Sequence, residues 1–148
     1  MIGIRLAVPV LAFVVLACGG IPKTAPTQIV DLMENSSGDF VLLVYDESGL
    51  VVNAVGVDAG PEASTAQAIA HPEMNEITVS WMGGACAYGP QLAIKGDAAA
   101  LTLELDRAPL EFSLVTKDCP AIGLFFAVTL TLSEPVAQNA ASLVLLSR

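Results

Sequence analysis

Few residues in this chain can do covalent or metal chemistry. They are Cys18, Cys86, Cys119 and a single histidine, His71, set among fifteen acids in 148 residues. Cys18 lies in an apolar leader, which leaves Cys86 and Cys119 as an even pair. Zinc needs four protein ligands, or three and a water, and one histidine without a Cys-x-x-Cys leaves that set incomplete. The other reading of the pair is a disulfide closing a loop of about 34 residues, which on the chain-entropy model stabilises the fold by about 3 to 4 kcal/mol. Nucleophilic catalysis needs Ser, Cys or Thr beside an oriented base. With one histidine and no Gly-x-Ser-x-Gly, no triad can be assembled. His71 stands beside Pro72 in the looser stretch Asp58–Asn75 and reads as a solvated loop residue.

The carboxylates offer many pairs, but Glu104, Asp106 and Glu111 alternate outward on strands and read as a solvated face. Asp46-Glu47 and Asp118 occupy turns that lack the Asp-x-Asp-x-Asp-Gly of a calcium loop. The expectation is a protein that is not an enzyme and carries no cofactor and no metal. A hydrolase with a carboxylate site is the remaining enzymatic alternative. A candidate binding patch is Trp81 with Tyr88 and Asp118, where an aromatic plus a carboxylate could grip a cation, a sugar or a peptide. Its alternative places Trp81 in the core and Tyr88 in a turn.

The leader says where the chemistry would take place. Arg5 precedes an apolar run from Leu6 to Leu16, and Ala17 sits directly before Cys18. A cationic start, an apolar middle and a small-residue cleavage site make a secretory signal. Val15-Leu16-Ala17-Cys18 also resembles the lipobox of bacterial lipoproteins. That resemblance implies cleavage after Ala17, acylation of Cys18 and a lipid anchor facing the extracytoplasmic side of the cell envelope. An uncleaved membrane anchor is the competing reading. The uncharged stretch from Leu6 to Ile21 falls short of the roughly 20 apolar residues a span requires, and it holds Pro9 and Gly19-Gly20. Ordinary signal cleavage, with Cys18 a coincidence, is the third. Outside the cytosol, two cysteines with no other thiol to pair with oxidise, which favours the Cys86–Cys119 bridge.

Charge narrows the partners. The chain carries a net charge of -9. Losing residues 1–17 removes Arg5 and no acid, leaving five cations against fifteen acids, or -10. Nucleic-acid binding rests on cationic contacts to phosphate, so no nucleic-acid partner is expected, and there is no basic patch for anionic lipid headgroups. A charge-steered partner should itself be cationic.

The elements that would hold these residues are strands. Residues 18–27, with Gly19, Gly20, Pro22 and Pro26, read as a tether, and 28–148 as a single domain. Gln28–Glu34, Phe40–Tyr45 and Leu50–Val57 are separated by Asn35-Ser36-Ser37-Gly38 and Asp46-Glu47-Ser48-Gly49. Two consecutive turn signals of this kind imply a three-stranded meander. Ser64-Thr65-Ala66-Gln67 matches a capping box before Ala68-Ile69-Ala70, so up to two turns of helix are expected before Pro72. Period-two alternation marks Glu76–Met82, Ala100–Arg107, Glu111–Thr116 and Leu124–Leu132 as half-buried strands. Leu92–Lys95 and Ser142–Leu146 are shorter candidates.

The expected fold is all-β: an antiparallel β-sandwich of seven to nine strands with little helix. Its core would draw on Ile77, Val79, Trp81, Leu101, Leu103, Leu105, Phe112, Leu114, Phe126, Val128 and Leu130. The Asn-Ser turn and the strand ending Tyr45-Asp46-Glu47-Ser48-Gly49 resemble the immunoglobulin-like β-sandwich modules of exported bacterial proteins. In size and charge the chain is also similar to small disulfide-bonded lipoproteins that inhibit lysozyme. The function expected is a non-catalytic binding or interaction module, with a protein or small-molecule ligand at the disulfide end. The alternative is an acidic inhibitor of a basic cell-wall-degrading enzyme.

Overall fold

A computed structural model describes residues 25–33, 40–84, 89–107 and 123–146. They form nine strands: β1 Gln28–Asp31, β2 Val41–Asp46, β3 Val51–Val57, β4 Gln67–His71, β5 Glu76–Gly84, β6 Gln91–Asp97, β7 Ala100–Asp106, β8 Gly123–Leu132 and β9 Ala141–Leu146. The only helical turns among the described residues are short 3₁₀ turns at Pro61–Ser64 and Pro72–Met74. One sheet has the order β1-β2-β6-β7-β9 and the other β3-β8-β5-β4. This is the all-β sandwich that the alternation implies.

Alternation builds the core between the sheets. Leu101, Leu103 and Leu105 from one sheet face Ile77, Val79, Trp81, Val128 and Leu130 from the other, all fully buried. Each such side chain contributes about 1.5 to 3 kcal/mol relative to exposure. The expected core positions Phe112 and Leu114, and the expected strand Glu111–Thr116, lie outside the described residues.

Three expectations need correction. The first is the meander. β1 and β2 pair antiparallel, but β3 leaves for the other sheet and pairs with β8. The reason is that both edges of β2 are already taken: β1 holds one, and β6 holds the other in parallel register, Leu43 opposite Gln91 through Asp46 opposite Ile94. The second is the capping box. Gln67–His71 is a strand, paired with Glu76–Ser80 of β5, so an open strand edge outweighs a local helix-start signal. The Pro72–Met74 turn, with Asn75 in the left-handed region (φ 53°), then closes the β4–β5 hairpin. The third concerns direction. Five neighbouring pairs are antiparallel, but β2–β6 and β7–β9 are parallel, because faces are written in the alternation and neighbours are not.

Candidate functional site

Of the residues that the sequence nominates, Cys18, Cys86, Tyr88, Asp118 and Cys119 lie outside the described residues. Trp81 does not, and it is fully buried. Its ring centroid is 5.8 Å from that of Phe126, which in turn lies 5.7 Å from that of Phe40. Trp81 is therefore part of the core and presents no face to a ligand, which removes it from the candidate patch. Its place in the inward row Ile77, Val79, Trp81 already carried that information.

Other nominated residues have structural work. Asp46 is no free ligand: its Oδ1 accepts from the backbone N–H groups of Ser48 and Gly49 at 3.0 Å each and from the Ser48 hydroxyl, and its Oδ2 accepts from Val51 N–H at 3.0 Å. Glu104 is not simply solvated, since it binds Lys95 at 2.8 Å. That hydrogen bond raises the Lys95 pKa above its ordinary 10.5; desolvation opposes it, and the nearby charges of Glu104 and then Glu47 add lesser support. Asp106 is buried, at 4% exposure, because it sits at the end of β7 between Gln91 of β6 and Leu146 of β9. His71 is not in a loop but ends β4, half-buried opposite Glu76. It lines a cleft of about 160 Å³ together with Glu62, Gln67, Thr78 and Ser80, under the Pro61–Ser64 turn. Among the described residues, no three His, Cys, Asp or Glu side chains are grouped so as to hold a metal ion.

The larger concavity was not anticipated. A groove of about 520 Å³ runs along the seam where β1, an outer strand of one sheet, meets β3, an outer strand of the other. Ile29 and Asp31 line it from β1, and Val55 and Val57 line it from β3, with Asp58 just beyond. Its floor is tight because residue 56 is glycine: a Cβ there would overlap the Asp31 carbonyl oxygen. Gln28 fastens the seam at one point, its Oε1 accepting from Ala54 N–H at 2.9 Å. An isolated glycine inside a valine-rich strand signals close approach of another backbone, and Gly56 is the one clue the sequence offers.

The arrangement can hold a ligand by apolar contact and carboxylate charge, on a rigid frame. Compared with protein-family models, with curated proteins and with solved structures, the chain matches none. Its function must therefore be argued from its own residues.

Proposed function

We propose that this chain is a lipid-anchored protein of the bacterial cell envelope, held to a membrane through Cys18, whose β-sandwich is a non-catalytic binding or interaction module. The observation that carries the binding reading is charge on a finished scaffold. The inward rows are apolar, so the acids among the described residues lie mostly on the outside, and the mature chain has a net charge of -10, five cations against fifteen acids. Among the described residues only Lys95 and Arg107 are cationic, and Lys95 is held by Glu104. Such a surface attracts basic partners and repels acidic ones.

The bridge Cys86–Cys119 belongs to the same reading. Gly84 and Gly123 are cross-strand partners at the end of β5 and the start of β8, so the segments leading to the two cysteines set out from one end of one sheet. Mass spectrometry of the unreduced exported protein should find a mass two hydrogen atoms below the dithiol. Two alkylatable thiols would overturn the bridge.

For the anchor, Cys18→Ser should move the protein from the membrane fraction to the soluble one and abolish incorporation of labelled fatty acid. For the module, the protein should retain a basic envelope partner at low salt and release it as salt screens the charges. The same charge supports a second reading, inhibition of a basic cell-wall-degrading enzyme. Inhibition of lysozyme that fades as salt is added would favour it over the general one.

A further inference from the structure

We propose that the seam between β1 and β3 is a peptide site that takes an extended segment of alternating apolar and basic side chains. The proposal deepens the binding-module reading and rests on it, but it moves the site from the disulfide end to the side of the sandwich. Four observations converge there.

The groove, at about 520 Å³, is within the 300 to 1,000 Å³ or so of ligand sites. Its walls hold three large aliphatic side chains that the fold leaves partly in water, Ile29 at 66% exposure, Val55 at 50% and Val57 at 36%. Its two flanking strands are outermost among the described strands of their sheets; Ala54 N–H is taken by Gln28, and the other outward groups of an outer strand can serve a further strand. Asp31 and Asp58 are exposed at its rim, and no Lys or Arg is among its described lining residues.

These features select a ligand class. In an extended peptide, alternate side chains fall on the same side about 7 Å apart. One set can then lie on the aliphatic walls while the other reaches the rim carboxylates. A purely apolar strand would leave the acids without partners, and an acidic one would be repelled by them and by a chain of net charge -9. A free amine would meet the charge but not the walls or the strand edges.

The test uses the full chain and fluorescence anisotropy of a labelled Val-Lys-Val-Lys-Val-Lys peptide. The expected result is saturable binding that weakens at least tenfold in 0.5 M salt, about the scale on which exposed charge pairs are screened. A Val-Glu peptide of the same length should not bind. Asp31→Asn with Asp58→Asn should weaken binding tenfold or more while leaving the melting temperature in place, since both carboxylates are exposed. Val55→Asp should weaken binding separately, and N-methylation of alternate peptide nitrogens should abolish it. Undiminished affinity of the double variant would overturn the seam while leaving the binding-module reading intact. Equal binding of the Val-Glu peptide, of the N-methylated peptide or of arginine methyl ester alone would overturn the extended basic ligand. If no peptide binds and the envelope extract also yields no salt-sensitive partner, both readings fail.

Discussion

Asp46 and Asp97 close two turns with the same local device, yet the chain leaves them in different directions. Each Oδ1 accepts from the backbone N–H groups two and three residues on: Ser48 and Gly49 for Asp46, Ala99 and Ala100 for Asp97. At Asp97 the chain folds straight back, and β7 pairs with β6. At Asp46 it crosses to the other sheet. Two additions mark the crossing. Oδ2 of Asp46 reaches on to Val51 N–H, and the N–H groups of Glu47 and Ser48 both donate to Ile94 O of β6. A side-chain cap thus fixes how tightly a chain turns. Which sheet it joins next is decided by the edges still open.

The glycines of the two turns give the largest test. Gly96 has φ +96°, and a Cβ there would overlap the Ala100 carbonyl oxygen, whereas Gly49 has φ +72° with nothing nearby. Gly96→Ala combines backbone strain with a steric clash and should cost about 3 kcal/mol or more. Gly49→Ala should cost only about 1 to 2 kcal/mol, the left-handed penalty alone. Chemical denaturation of both variants checks the pair, and equal losses would mean that the hairpin is no tighter than the corner.

Next comes the cap. Asp46→Ala removes both carboxylate oxygens from a half-buried corner and should cost about 2 to 3 kcal/mol, against about 1 kcal/mol for Asp97→Ala. Thermal melts resolve that difference. A reversed order would show that the Val51 contact does not hold the crossing.

The smallest effect belongs to Lys95, next to Ile94 and on the solvent side. Its pair with Glu104 is exposed enough for water to screen it, so Lys95→Met should barely move the melting temperature at neutral pH. The sign with pH is fixed. Because folding raises the Lys95 pKa above 10.5, what the pair contributes is fully present below that value and is lost as pH rises through the folded-state pKa. Melts of wild type and variant should therefore converge in strong alkali, and a gap that widens there would contradict the assignment.

How much of this was legible follows from the same physics. Strands whose two faces see different solvents declare themselves, and Glu76–Met82, Ala100–Arg107 and Leu124–Leu132 all place their inward residues in the core. β4 was misread as helix because its Ser-x-x-Gln start is a local signal, while its strand state comes from β5. The order of the sheets was unreadable, since parallel neighbours such as β2 and β6 share no turn. For the site, Trp81 was readable as inward, and its role as a ligand contact was the weaker inference. The seam groove had no motif at all. It arises where two strands far apart in the fold's logic, β1 and β3, meet over a missing side chain at Gly56.

Pairings distant in sequence, the two parallel ones among them, also set the tempo of folding. Residues 43–46 must find 91–94, and 101–106 must find 141–146, so long stretches of chain have to be closed before those contacts give anything back. The β4–β5 and β6–β7 hairpins can form locally and early. The β1-to-β9 sheet cannot finish until its last strand arrives, and folds dominated by such non-local pairing take milliseconds to seconds. Until Ala141–Leu146 docks, β7 stands with an unsatisfied edge beside Leu101, Leu103 and Leu105. That interval is when a chaperone would have most to hold.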